Sequence, residues 1–180
     1  MISIDSMLFA IYVLLPAAFA NMAPVFAKNY NFLAYPIDGN ATFRGKRLLG
    51  ANKTVRGVFF AILVAIILAI IQYILASVGL MPAVFEQSLV IFIVAGFLLG
   101  TGAMLGDLVA SFIKRQLDFK PGERMIIVDQ IDWVIGAILC IMPFMAITLS
   151  FLFSALIIFF TLHIIIKHLG YFLKLENQKW

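Results

Sequence analysis

Apolar residues arrive in long blocks rather than at alternating or widely spaced positions. Runs of about 20 apolar residues, enough for a helix to cross a hydrocarbon core of roughly 30 Å, recur between short polar segments. They predict an all-α integral membrane protein with five spans, at about 4–26, 57–79, 89–110, 130–149 and 151–168. The polar intervals 28–56 and 111–129 are then loops on one side of the membrane. The stretch from Trp133 to Ile166 is too long for a single crossing. Pro143 and the Thr148, Ser150, Ser154 region offer a bend, so the last two spans are expected to meet at a very short turn near residue 150. The first run has Asp5 in place of a basic leader and no small-residue cleavage pattern, which reads as a retained span.

Composition agrees with the pattern: 64% of the 180 residues are hydrophobic and 12% are charged, which leaves no large water-soluble domain. The whole of 1–180 is expected to be one membrane-embedded domain. Charge adds orientation. Lys28, Arg44, Lys46, Arg47, Lys53 and Arg56 fall in the first loop, Lys114, Arg115, Lys120 and Arg124 in the second, and Lys167, Lys174 and Lys179 in the tail. Together these are all 13 basic residues, whereas the opposite side carries only Asp5 and Glu86. The positive-inside rule therefore puts the N-terminus outside and the tail in the cytoplasm. Topology and attraction to anionic headgroups account for much of this basic face, and no aromatic-and-basic module suggests a nucleic-acid partner. Cys140, the lone cysteine, has no disulfide partner within the chain and no neighbouring metal ligands, so it reads as a packing residue.

Three stretches carry candidate chemistry. In LLGANKTVRG, Asn52, Lys53, Thr54 and Arg56 place amide, ammonium, hydroxyl and guanidinium donors just before a span. Such a set suits either phosphate oxygens at a helix N-terminus or a juxtamembrane anchor. In GTGAMLGDLVASFIKR, Asp107 falls within or at the end of an apolar span, where an ionised carboxylate costs about 2.5–3.5 kcal/mol and needs compensation. Either an Asp–Lys pair or a bound ligand supplies it; Ser111 and Lys114 share its helical stripe, with Arg115 alongside. Gly96, Gly100, Gly102 and Gly106 leave small faces for close helix approach. In RMIIVDQIDW, Asp129 and Asp132 share a helix face with no counter-charge between them. With Asp107, they form a set of hard oxygen donors suited to Mg²⁺, which typically takes one or two carboxylates plus phosphates and waters. His163 and His168 lack the companions a zinc site needs. Acidic groups for Mg²⁺ beside donors for phosphate point to phosphoryl or nucleotidyl transfer at a membrane surface. A small transporter coupled through Asp107 is the rival class, and the absence of a second half repeating the first weighs against it.

The pattern Ser111-x-x-Lys114-Arg115-x4-Lys120, followed by Asp129-x-x-Asp132, resembles the signature of membrane cytidylyltransferases that make CDP-diacylglycerol. Where those enzymes carry a Pro-Gly-His-Gly-Gly-like block, this chain has PGERMIIV. The segment PIDGNATFRGKRLLGANKTVRG, 36–57, resembles the archaeal branch, the CDP-archaeol synthases, as do the length and five-span plan. That resemblance implies transfer of a cytidylyl group from CTP to an isoprenoid glycerol-1-phosphate diether, releasing pyrophosphate and requiring Mg²⁺. Asp107, Asp129 and Asp132 are then expected to hold the metal, and Lys114 and Arg115 to neutralise the reacting phosphates. Asn52, Lys53, Thr54, Arg56 and Ser111 complete the substrate contacts. An ester phosphatidate is the alternative acceptor. The partners implied are CTP, a membrane lipid phosphate and the bilayer.

Overall fold

A computed structural model describes residues 3–82, 85, 88–120, 123, 125 and 127–172, with side chains followed through 165 and at 168. Glu86, Arg124, Lys174 and Lys179, and the Lys167 side chain, lie outside the described residues. Five helices make up most of the fold: α1 (Ile4–Ala27), α2 (Val55–Ser77), α3 (Leu89–Gln116), α4 (Val128–Ile141) and α5 (Leu149–Phe172). A small antiparallel hairpin, β1 (Thr42–Phe43) with β2 (Lys46–Arg47), sits in the first connection, an addition to the all-α expectation. Its turn residues Arg44 and Gly45 have φ of 52° and 75°. Two successive positive φ angles match the twist of paired strands, and glycine tolerates the second at no steric cost.

Among the described residues, α1, α2 and α3 are long and apolar enough to cross a membrane, and α5 contributes the shorter apolar stretch Leu149–Ile165. Three boundaries differ from the sequence reading. α3 runs to Gln116, so Ser111, Lys114 and Arg115 stand on helix rather than in a 111–129 loop. Its cations occupy the last turn, where the negative end of the helix dipole favours them. Lys46 completes this end by donating to the Gln116 carbonyl at 2.7 Å. α4 starts at Val128 and stops at Ile141, a length of about 21 Å, well short of the expected 149. The expected turn near residue 150 is replaced by a connection over 142–148. Pro143 has no N–H to continue the ladder, while Thr148 starts α5 by accepting from the Phe151 amide at 3.1 Å.

α3 is the central element. Gly96 and Gly100 lie against Ala61, Ala65 and Ile66 of α2, so close that a Cβ on Gly96 would stand 2.9 Å from the Ala65 carbonyl oxygen. Gly102 and Gly106 lie against α4 at Gly136, where the backbones themselves touch. Small residues on both faces let α3 pack between two helices, and such close packing drives association where lipid removes the hydrophobic gain. α1 adds Ala10, Val13, Leu14, Ala17 and Ala20 to the buried core. It is tied to α5 by Ser6 and Ser154, whose hydroxyls are 2.8 Å apart, and to α2 by Gln72. The Gln72 amide donates to the Tyr12 carbonyl oxygen at 2.6 Å. Tyr12 is four residues before Pro16, so its carbonyl has no helical N–H to accept from. Gln72 supplies the missing donor from the neighbouring helix.

Candidate active site

The turn before α2 is held by backbone hydrogen bonds on both sides of Thr54. The Ile37 amide donates to the Lys53 carbonyl at 2.9 Å and the Val55 amide to the Tyr35 carbonyl at 3.1 Å. Thr54 caps α2, its hydroxyl oxygen accepting from the Gly57 amide at 3.2 Å. Lys53 is thereby presented to the middle of the protein, where its ammonium donates to both Asp107 oxygens at 2.5–2.6 Å. Both side chains remain about a quarter exposed. A cleft of about 50 Å³ opens beside them, with Asn52, Thr54, Gly57 and Met104 in its walls. Asp107 thus has an Asp–Lys pair as its compensation, and the lysine comes from the first loop rather than from its own helical stripe.

A second pair stands one helix away. Lys114 donates to the Asp129 carboxylate at 2.7 and 2.8 Å, and the Met125 amide donates to the same carboxylate at 3.0 Å. The expectation that Asp129 has no counter-charge within the chain is corrected: α3 and α4 cross so tightly that Lys114 reaches it. Asp132 lies one turn further along α4 and within electrostatic reach of Asp107, Asp129 and Lys53. Its carboxylate accepts from the Trp133 amide at 2.6 Å. The contact between Gly106 and the Asp132 backbone sets this proximity, because Asp107 follows Gly106 directly.

Asp132 also lines a groove of about 330 Å³ between α3 and α4. The other walls are apolar, chiefly Leu105, Val109, Ile113, Ile135 and Leu139. A carboxylate at the edge of an otherwise apolar groove places charged chemistry beside a surface suited to hydrocarbon.

The remaining candidates stand apart. Arg56 is buried and its guanidinium donates to the Tyr30 carbonyl oxygen, which ties α2 to the end of α1. Ser111 is buried on α3, and Arg115 donates to the Lys120 carbonyl at 3.1 Å. Among the described residues, no three acidic, imidazole or thiol side chains are grouped tightly enough to enclose a metal by themselves. The donor set remains one of hard oxygens, with two of its carboxylates engaged by ammonium groups.

Sequence reasoning passes over Asp38, whose side chain is 1% exposed. Its carboxylate accepts from Arg47 Nε and Nη2, both at 3.1 Å, from the Leu49 amide at 3.0 Å and from the Asn40 amide at 3.1 Å. The Arg47 guanidinium and the two amides hold it below the ordinary carboxylate range despite burial. The PIDGN turn chemistry is the signal that marks this position, since an Asp ahead of Gly and Asn bonds its own backbone two residues on.

A family model for CarS-like CDP-archaeol synthase matches residues 2–180. A CDP-archaeol synthase of Sulfurisphaera tokodaii is 36% identical over 175 residues, 96% of each chain. That of Thermococcus gammatolerans is 39% identical over 137 residues, 76% of this chain and 74% of the relative. A solved structure described as an intramembrane enzyme for archaeal membrane lipids biosynthesis superposes with a TM-score of 0.74 at 27% identity. The superposition covers 88% of this chain and 92% of that one. Matches of this extent, in sequence and in fold, establish a membrane-embedded enzyme, and the chain belongs to the CDP-archaeol synthase family.

Proposed function

We propose that this chain transfers the cytidylyl group of CTP to the phosphate of an isoprenoid glycerol-1-phosphate diether, forming the CDP-activated lipid. The observation that carries this reading is the adjacency of the Lys53–Asp107 and Lys114–Asp129 pairs to an apolar groove edged by Asp132. A lipid phosphate oxygen attacks the α-phosphorus of CTP; a new P–O bond forms, the bond to the β-phosphate oxygen breaks, and pyrophosphate leaves. The nucleophile is already an anion, so no strong general base is required. The barrier lies in bringing two polyanions together, and fixed cations lower it.

Lys53, with Asn52 and Thr54, is suited to hold phosphate oxygens beside the N-terminus of α2, where the helix dipole adds attraction. Lys114 and Arg115 neutralise charge at the α-phosphate or the leaving pyrophosphate. Arg56, buried and bonded to the Tyr30 carbonyl, anchors the first turn of α2 next to Thr54, and Ser111 is buried one turn before Lys114 on α3. Mg²⁺ would be held by carboxylates from among Asp107, Asp129 and Asp132, and when bound it supplies neutralisation of the triphosphate. Since ammonium groups occupy Asp107 and Asp129, nucleotide entry gives each lysine a phosphate in exchange for its carboxylate. Diether chains lie along the α3/α4 groove, open sideways to the bilayer.

The proposed topology has five crossings, the N-terminus outside and the site on the cytoplasmic face, within one catalytic domain spanning 1–180. The 13 basic residues support it, and the 142–148 connection adds length to the short α4. In a Cys140→Ala background, a cysteine at Leu80 should react with an impermeant reagent from outside and one at Asn40 only from inside; labelling of Asn40 from outside overturns the sidedness.

The activity is tested by supplying purified protein with CTP, Mg²⁺ and either the archaeal diether phosphate or an ester phosphatidate. The expected result is pyrophosphate and a CDP-lipid from the diether. Preference for phosphatidate would transfer the reading to CDP-diacylglycerol synthesis, and failure with both would overturn it.

A further inference from the structure

We propose that Asp38 is a positioning residue for nucleotide binding, fixing Lys53 at the site through the turn 49–53; this rests on the proposed role of Lys53 as a phosphate contact. The two ends of that turn are tied to adjacent residues. At one end the Leu49 amide donates to the Asp38 carboxylate at 3.0 Å; at the other the Lys53 carbonyl accepts from the Ile37 amide at 2.9 Å. Inside the turn the Lys53 amide donates to the Gly50 carbonyl at 2.9 Å. With both ends pinned, the backbone that carries Lys53 has one register relative to α2 and α3.

The same carboxylate reaches the central helix through the hairpin. Arg47 of β2 donates to Asp38 through two nitrogens, while its neighbour Lys46 reaches the other way, to the Gln116 carbonyl at 2.7 Å and to Asp118 at 2.6 Å. β2 therefore links Asp38 to the C-terminus of α3, and α3 carries Asp107, the partner of Lys53. Phe43 of β1 against Phe112 of α3, ring centres 6.1 Å apart, adds an apolar contact to the link. Asp38 has a side-chain exposure of 1% and four donors within 3.1 Å, so its carboxylate has no free face for substrate. It acts through Lys53, not on the nucleotide.

The test compares Asp38→Asn, Lys53→Met and the double variant, reading the CTP dissociation constant by calorimetry at saturating Mg²⁺ and separating KM from kcat. Asp38→Asn should weaken CTP binding roughly tenfold and raise KM, with kcat changed much less, since charged hydrogen bonds are exchanged for neutral ones. On the Lys53→Met background the same substitution should have little further effect on CTP affinity, because the group it positions is gone. Arg47→Met, which leaves the amide contacts to Asp38 in place, provides a second route should Asp38→Asn not fold, and should raise KM in the same direction. Equal losses from Asp38→Asn on both backgrounds, or a lowered melting temperature with unchanged CTP affinity, would overturn the inference and leave the cytidylyltransferase reading standing. Wild-type protein that fails to bind CTP would overturn both.

Discussion

Replacing Gly106 with alanine tests the coupling of helix packing to chemistry. A Cβ at this position would stand 2.7 Å from the Asp132 carbonyl carbon and 3.1 Å from the Trp133 Cα, whereas ordinary contact begins at 3.4 Å. The Asp132 carbonyl oxygen lies nearer still; all three atoms are backbone and cannot rotate away, so α3 and α4 must part by on the order of 1 Å, an overpacking that costs about 1–3 kcal/mol. The separation acts at the Asp132 backbone and beside Asp107, which follows Gly106 directly. A misplacement of about 1 Å in a reacting site costs up to about 10²-fold in rate, so a loss of ten- to a hundredfold in kcat is expected. Gly96→Ala is the control: its Cβ would meet Ala69 Cβ at 2.8 Å and the Ala65 carbonyl oxygen at 2.9 Å, but on the α2 side. That position lies about 15 Å along α3 from Gly106. Thermal unfolding in detergent should show both variants destabilised, and CDP-lipid formation should show only Gly106→Ala strongly impaired. Equal activity losses in the two, or full turnover in Gly106→Ala, would refute the argument that this crossing sets the site.

Asp129→Asn and Asp132→Asn should each remove most turnover while the protein still inserts and folds; wild-type rates in both at limiting Mg²⁺ would sink the metal-site proposal. Asp38 yields a pH dependence of stability. Its folded pKa lies below the unfolded value, so its contribution is present above the ordinary carboxylate range, about pH 4, and is lost as pH falls through the folded pKa. The melting temperature of Asp38→Asn, followed from pH 7 to pH 3, should therefore fall less steeply on the acid side than that of wild type; parallel curves would contradict this. Nucleotide choice should depend on a polar contact to the base, because the charged clamp accepts any triphosphate. Turnover of CTP well above that of UTP and ATP is expected, and equal turnover of the three would show that no such contact exists.

The helices are legible in the chain because twenty-residue apolar blocks have few other stable forms, and the glycines of α3 advertise its close neighbours before any contact is seen. Helix ends are harder. The run from Trp133 to Ile166 contains no Asp, Glu, Lys or Arg, so the break at 142–148 is marked only by Pro143 and the hydroxyls of the Thr148, Ser150, Ser154 region, which do not fix its ends. Lys114 and Arg115 look like loop residues on charge, yet a helix C-terminus accommodates them. The candidate site is partly visible: Lys53, Thr54, Asp107, Lys114, Asp129 and Asp132 all carry charge or donors out of keeping with their apolar flanks. Their pairing is hidden. Spacing along one helix relates Asp107 to Lys114, whereas in the fold Asp107 pairs with Lys53 and Lys114 with Asp129. Such partners are chosen by the crossing of α3 with α4 and by the folding of the first loop, neither of which has a local signature. Asp38 is hidden for a related reason, since its importance lies in donors up to eleven residues away.

Pro16 and Gln72 carry a historical constraint. The glutamine amide meets a carbonyl that exists as an open acceptor because of the proline, so the two positions cannot drift independently. A lineage that lost Gln72 first would expose a bare carbonyl to an apolar interface, while one that first exchanged Pro16 for alanine would close the helix ladder and free position 72 to become leucine. The order of substitution decides which path is open, and among relatives an apolar residue at the position of Gln72 should accompany a non-proline at that of Pro16.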